Sequence, residues 1–297
     1  MPDGARVLAA VRDRGRIVLL AVPVVFVVVF LVAPLTLTFA ISFWQRVGFR
    51  VRPAFQLNAY LDFLSGVRLF VLARGLVVAG EVTALSLVLA YPIAYVLCFR
   101  MGRAAARVVL VLFTLPFLVN YIIRTFSWSW LLGRSGPVNQ ALHVLHLADR
   151  PVDWLLYSDF AVLLGLVTST MPFMIFPIYL SLAGLDRRLI EASFLLGAGP
   201  WRTFRQITLP LTVPGIFAAL IFGFAGAFGD SAVPIILGGT GYQLMGNAIT
   251  SALDVLNYPL AAAMASVVVI VMLALLLCWY LLFDLTSFLG KILSWRF

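Results

Sequence analysis

Residues 186–210 read Asp186-Arg-Arg-Leu-Ile-Glu-Ala-Ser-Phe-Leu-Leu-Gly-Ala-Gly-Pro-Trp-Arg-Thr-Phe-Arg-Gln-Ile-Thr-Leu-Pro210, a polar stretch set between two long apolar ones. Leu189, Ala192, Phe194 and Leu196 give its first part an apolar side, and Gly197, Gly199 and Pro200 then break the pattern. Pro200 is placed to open a second helix, and Pro210 and Pro214 mark the approach to the next apolar run. The stretch therefore reads as two short amphipathic helices meeting at a glycine-rich turn. Periodicity alone also fits helices that merely lie on a membrane surface.

Outward from this loop the chain is dominated by hydrocarbon. Of its 297 residues 63% are apolar and 11% charged, against roughly 45–50% and about 25% in soluble domains. That excludes an ordinary cytosolic globular protein. Ile17 to Ile41 and Leu260 to Phe283 contain no Lys, Arg, Asp or Glu, and each is long enough to cross about 30 Å of hydrocarbon. The first run is too long for the apolar segment of a cleaved signal, so the whole chain reads as mature protein. Apolar runs predict six membrane-spanning helices, at 17–42, 70–98, 108–132, 160–182, 213–237 and 259–284. The fold class is all-α integral membrane. Cys98 and Cys278 lie in apolar runs and offer neither a disulfide framework nor a metal site.

Basic residues set the orientation. Sorted by segment, 13 Lys and Arg fall on the side of both termini (6, 12, 14, 16, 100, 103, 107, 187, 188, 202, 205, 291 and 296) and 7 on the other (46, 50, 52, 68, 74, 134 and 150). The excess places both termini in the cytoplasm, with 46–74 as a counter-signal. It also accounts for the net charge of +9 without nucleic acid. The organisation expected is a basic cytoplasmic N-terminus at 1–16, a first span at 17–42, a core of five helices at 70–284 containing the cytoplasmic loop 183–213, and a cytoplasmic C-terminus at 285–297.

The loop resembles that of the permease subunits of bacterial ATP-binding-cassette importers, the binding-protein-dependent type I family. Their pattern of Glu-Ala-Ala, three residues, Gly, nine residues, Ile, one residue, Leu-Pro is met by Glu191, Ala192, Ser193, Gly197, Ile207, Leu209 and Pro210, with Ser193 for the second Ala. The resemblance implies a type I permease fold in a multi-pass protein of the bacterial inner membrane. It further implies that the loop docks in a groove of a cytoplasmic ATPase. The docking set is Arg187, Arg188, Glu191, Ala192, Ser193, Gly197, Gly199, Trp201, Arg202, Ile207, Leu209 and Pro210, with Arg205 at the rim. Over about 55–285 the chain is similar to the spermidine/putrescine-type branch. The carrying segments are Phe55–Tyr60, Tyr91–Tyr95, Pro116–Trp128, Leu131–Gly136, Phe228–Asp230 with Pro234, and Gly246-Asn247. A second homologous permease, two ATPase subunits and an extracytoplasmic binding protein are the implied partners, besides membrane lipid. The chain lacks a G-x-x-x-x-G-K-[ST] phosphate loop, so ATP and Mg are expected on the ATPases and no cofactor on this chain.

Three ionisable residues stand out well inside the predicted spans, where each costs at least about 2.5–3.5 kcal/mol on insertion scales unless partnered or wetted. Glu81 falls near the midplane, and Arg124 and Asp230 near one common depth closer to the outside. Glu81, Asn120 and Asp230 are candidates for the translocation path, while Arg124 and Asp230 equally suit an intramembrane ion pair. A path for cations should carry few cations of its own, so Arg124 on the same lumen would argue against one. Glycines 223, 226 and 229 suggest a gate or a subunit contact on the fifth helix, or equally simple close packing of helices. Asp149, Asp153 and Asp159 lie in or beside the outer connection 133–159 as solvated charge or as docking points.

Catalytic readings find little support. Ala227-Phe-Gly-Asp230 falls one residue short of the Gly-x-Gly-Asp of intramembrane aspartyl proteases, and no Tyr-Asp pair supplies a second aspartate. His143 and His146 lack the H-E-x-x-H pattern. A free-standing channel or ion-coupled carrier would use Glu81 and Asp230 as ion sites, but leaves the loop pattern without a role. The reading is a non-enzymatic permease subunit of an ATP-driven importer for a small solute, a polyamine first, another small solute second.

Overall fold

The computed structural model describes residues 21–48 and 50–294, and the side chains of all of these except 117 and 282–294. The basic segment 1–16, the start of the first predicted span and Arg296 lie outside the described residues, as does the side chain of Lys291. The chain divides into two compact units, one of residues up to Ser65 with Ala252–Val269, the other of Gly66–Ser251 with the residues from Ile270 onward.

In the first unit, helix α1 (Ala21–Ile41) has no buried residue. An apolar helix exposed on every face is suited to lipid or to a partner helix. It leads into a hairpin of β1 (Gln45–Val47) and β2 (Arg50–Arg52), paired antiparallel with Gln45 opposite Arg52 and Val47 opposite Arg50. Helix α2 (Asn58–Leu64) follows. The buried Ser42 hydroxyl meets the Tyr60 hydroxyl at 2.7 Å, and Phe43 stacks on Phe55 at 5.0 Å, so aromatic contacts hold this connection together.

The second unit is organised by three long helices, α3 (Val67–Phe99), α7 (Asp159–Ala183) and α9 (Pro200–Phe228), which pack against one another. Among lipid tails burial of apolar surface supplies little drive, so close contact and interhelical hydrogen bonds must hold them. The sequence provides both. Ala90, Ala94 and Leu97 of α3 meet Met174, Ile175, Ile178 and Leu182 of α7 and Ala219 of α9, none more than 3% exposed. A Cβ on Gly215 would strike Ser181 and the Pro177 carbonyl, and one on Gly223 would meet the Met174 sulfur. Ser86 and Thr170 share a hydrogen bond of 3.1 Å, Tyr91 and Thr212 one of 3.0 Å.

Shorter helices complete this unit: α4 (Arg103–Leu118), α5 (Tyr121–Leu132), α6 (Pro137–Val144), α8 (Arg187–Leu195) and α10 (Ala232–Gly238). Helices α11 (Met245–Asp254) and α12 (Tyr258–Ser294) each carry residues of both units. Among the described residues five helices are long and apolar enough to cross a membrane, or six if α4 with α5–α6 counts as one broken span.

Two expected spans are interrupted. The span read at 108–132 is bent by 87° where Val119 and Asn120 take extended backbone. Pro116 weakens the end of α4, and the Asn120 side chain accepts the Ile122 amide at 2.9 Å, starting α5 afresh. The span read at 213–237 instead begins at Pro200, stops at Phe228 and resumes as α10 after Gly229–Ser231. Its glycines serve packing inside this chain: Gly223 faces Met174 and Gly226 faces Thr170, both on α7. Hydropathy runs straight through both interruptions, which is why it does not disclose them.

Candidate functional site

Loop 186–210 is built as a compact knob. Asp186 caps α8, accepting the Arg188 amide at 3.0 Å. Helix α8 ends after Leu195, and Gly197 turns the chain at φ +79°, a conformation that costs an L side chain roughly 1–2 kcal/mol. Gly199 then precedes α9, with Pro200 in its first turn. The Ser193 hydroxyl donates to or accepts from that of Thr203 at 2.8 Å, both residues being buried, and so ties α8 to α9. Trp201 stacks on Phe204, whose ring meets Tyr91 and Tyr95 of α3 edge-on at 5.8 and 6.1 Å. Arg187 donates to the Cys98 carbonyl at the end of α3 at 3.2 Å.

This arrangement sorts the motif residues. Arg187, Arg188, Glu191, Ala192, Gly197, Gly199, Arg202, Arg205 and Pro210 are exposed, Ile207 and Leu209 half-buried, and Ser193 buried. The tip is apolar and bare: Leu195 is 89% exposed, Leu196 88% and Trp201 71%. Neither Leu195 nor Leu196 belongs to the docking set expected from sequence. The signal for them was the Leu195-Leu196 pair itself, since adjacent helical positions cannot both face one side. Helix α9 runs without interruption from Pro200 to Phe228, through a wide turn at Phe204–Thr208, as one rod from the knob into the three-helix core.

At the other end of that rod lies a cavity of about 390 Å³, lined among others by Asn120, Tyr121, Arg124, Ser169, Thr170, Phe222 and Asp230. Asn120, Arg124 and Asp230 are thus brought together, whereas Glu81 is exposed on α3 and does not line this cavity. Asp230 sits in the break between α9 and α10, where its carboxylate accepts the Val233 amide at 2.9 Å and the Tyr121 hydroxyl. Arg124 donates to the Pro116 carbonyl at 3.2 Å, across the break before α5, and its guanidinium lies 5.5 Å from the Tyr121 ring centre. Tyr121, which sequence reasoning did not single out, stands between the two charges; nothing local marks a residue whose partner is 109 positions away.

A third cluster joins α3, α7 and the segment before α11. Arg74 donates to Asp159 at 2.8 Å and lies 4.3 Å over the Tyr242 ring, while the Tyr242 hydroxyl donates to the same carboxylate oxygen at 2.8 Å. Burial first, and the neighbouring Asp159 second, push the Tyr242 phenol well above its ordinary range, keeping it a proton donor. The buried Asn247 closes this segment on itself, donating to the Tyr242 carbonyl at 2.6 Å and accepting the Leu244 amide at 2.7 Å. Gly246 beside it packs so closely on the Asp230 carbonyl that a Cβ would collide. Arg134 and Asp153 form a two-point ion pair at 2.6 and 2.8 Å with both side chains exposed.

Residues 83–287 match the family described as binding-protein-dependent transport system inner membrane component. Among curated proteins, the spermidine/putrescine transport system permease protein PotB of Escherichia coli (strain K12) is 35% identical over 231 residues, covering 77% of this chain and 83% of that protein. The protein of the same name in Haemophilus influenzae is 30% identical over 273 residues, 91% of this chain and 94% of its own. The inner membrane ABC transporter permease protein YdcU of Escherichia coli (strain K12) is 34% identical over 223 residues, 70% of each. Of solved structures, a chain of the bacterial alginate ABC transporter, in complex with an alginate pentasaccharide-bound periplasmic protein, superposes with a TM-score of 0.70. It is 18% identical and covers 90% of this chain and 93% of that one, a likeness of fold.

Proposed function

The chain belongs to the binding-protein-dependent transport system inner membrane component family and is a permease subunit of an ABC importer, a multi-pass protein of the inner membrane; on that premise we propose that it imports a polyamine and that loop 186–210 docks a separate ATPase. A second homologous permease, two ATPase subunits and an extracytoplasmic binding protein complete the machine. ATP and Mg are held by the ATPases, both termini lie in the cytoplasm, and this chain makes and breaks no covalent bond.

The observation that carries the docking is the knob itself: an exposed Leu195, Leu196 and Trp201 tip on a base held by Ser193–Thr203 and Phe204, continuous with a helix that enters the core. A bare apolar tip in a loop that also exposes Arg187, Arg188, Glu191 and Arg202 supplies what an interface centre with a polar rim needs. Closure of an ATPase dimer beneath it would displace α9 as a rigid body and shift the bundle toward its outward-open state. The polyamine rests on the named solutes of the PotB relatives.

A second reading, another small solute in the same importer class, is favoured by Arg124, whose guanidinium lines the cavity that holds Asp230 and repels an ammonium group. The test is uptake into proteoliposomes carrying the whole complex, with spermidine and putrescine against uncharged and anionic solutes. Spermidine uptake that requires ATP and is lost in Gly197→Pro, with the ATPase no longer co-purifying, supports both parts. Uptake of another solute alone overturns the polyamine, and normal coupling in Gly197→Pro and Glu191→Ala overturns the docking.

A further inference from the structure

The two helix interruptions of the second unit are joined by one hydrogen bond. Tyr121 is the first residue of α5, immediately after the extended Val119–Asn120 break. Asp230 lies in the Gly229–Ser231 break between α9 and α10. The Tyr121 hydroxyl donates to the Asp230 carboxylate, and both residues line the 390 Å³ cavity.

Each partner is held firmly on its own side of the seam. Asp230 is fixed to α10 by the Val233 amide and backed by Gly246, whose missing side chain admits the Asp230 carbonyl. Tyr121 starts a helix capped by Asn120, and the Arg124 to Pro116 bond bridges the break before it. Non-helical junctions are where backbone rotation is absorbed when packed elements shift, because the helices themselves move as rods. A hydrogen bond between two such junctions stabilises the arrangement in which it forms and must break if the junctions part.

Resting on the reading of the chain as an alternating-access permease, we propose that Tyr121 and Asp230 form a latch that holds α5 against the α9–α10 break and keeps this cavity narrow in the resting importer. Its opening is coupled to the rod α9, whose upper end is the break and whose lower end is the loop knob. Tyr121 is a positioning residue: its phenol sets which state of the cavity is populated.

The experiment uses the assembled importer in nanodiscs, with Cys98 and Cys278 replaced by Ser and Ser169→Cys introduced as a reporter on the cavity wall. Two readouts are taken without binding protein or solute, the rate of labelling by a water-soluble maleimide and the basal ATPase rate. Tyr121→Phe removes only the hydroxyl. It should raise labelling and basal ATPase about fivefold, the population shift expected for the loss of one hydrogen bond. Asp230→Asn retains an oxygen that accepts from Tyr121 and Val233 and should lie nearer the parent than Tyr121→Phe does. Labelling and basal ATPase of Tyr121→Phe equal to the parent, or Asp230→Asn at or beyond Tyr121→Phe, would overturn the latch. A parent complex that fails to import any solute overturns the transport reading instead, which the labelling comparison does not depend on.

Discussion

The hydroxyls of Ser193 and Thr203, on opposite sides of the Gly197–Gly199 turn, lie 2.8 Å apart and are closed off from solvent. The small residue expected at position 193 for close packing therefore also carries a hydrogen bond, and Ser193 donates a second contact to the Ile190 carbonyl at 2.7 Å.

Removing one hydroxyl should thus be worse than removing both. Ser193→Ala leaves Thr203 buried beside an apolar methyl and should cost about 1–2 kcal/mol, whereas Ser193→Ala with Thr203→Val should recover most of the loss. Thermal unfolding of the four proteins of the cycle in one detergent measures the coupling, and equal losses in the single and double variants would refute it.

At Gly197 the constraint is conformational alone. Nothing lies within 4 Å of a Cβ built there, but φ is +79°. Gly197→Ala should therefore cost roughly 1 kcal/mol through backbone strain without a clash, and Gly197→Pro, whose φ is locked negative, should disorder the turn. Solute imported per ATP hydrolysed should fall from parent to Ala to Pro.

The exposed tip predicts a separation of stability from assembly. Leu195→Ser and Leu196→Ser should leave unfolding within about 0.5 kcal/mol of the parent, since neither leucine is packed in this chain. Each should weaken retention of the ATPase about tenfold if the tip fills a partner pocket. Quantitative co-purification at several detergent wash lengths checks this.

Gly246 and Gly80 form a matched pair. Gly246→Ala drives a methyl into the Asp230 carbonyl and should destabilise by about 1–3 kcal/mol. Gly80→Ala, with nothing within 4 Å and a position inside α3, should be neutral or stabilising by up to about 1 kcal/mol. Melting temperatures moving in the same direction for both would contradict the packing described.

Of the two outer ion pairs, only one should matter. Arg134 and Asp153 are 76% and 64% exposed in their side chains, so Arg134→Ala should leave the melting temperature unchanged at physiological salt. Asp159→Ala deprives both Arg74 and Tyr242 of an acceptor and should loosen the segment before α11, seen as faster amide exchange at Tyr242–Asn247.

Several features were legible from local signals. Charge-free runs of membrane-crossing length announce helices because lipid offers the backbone no other partner. Gly197, Gly199 and Pro200 announce a turn because each restricts or frees φ at its own position. The spacing from Glu191 to Pro210 carried the family resemblance. Asp230, by contrast, was read as a residue within a helix, open either to a cation or to Arg124; in the fold it occupies a helix break and accepts from Tyr121 and Val233. The stripe of Gly223 and Gly226 announced a close approach, yet not that the neighbour would be α7 of the same chain.

The sequence by itself determined that this is a helical membrane protein with a polar, glycine-turned loop, because span length, charge placement and turn chemistry are properties of residues a few positions apart. The tertiary structure alone decided where the spans break, which face of the loop is bare and which polar groups meet across the cavity. Those outcomes depend on pairs such as Ser193–Thr203, Tyr121–Asp230 and Gly246–Asp230, in which donor, acceptor and the space between them are supplied by different elements and acquire meaning only when packing brings them together.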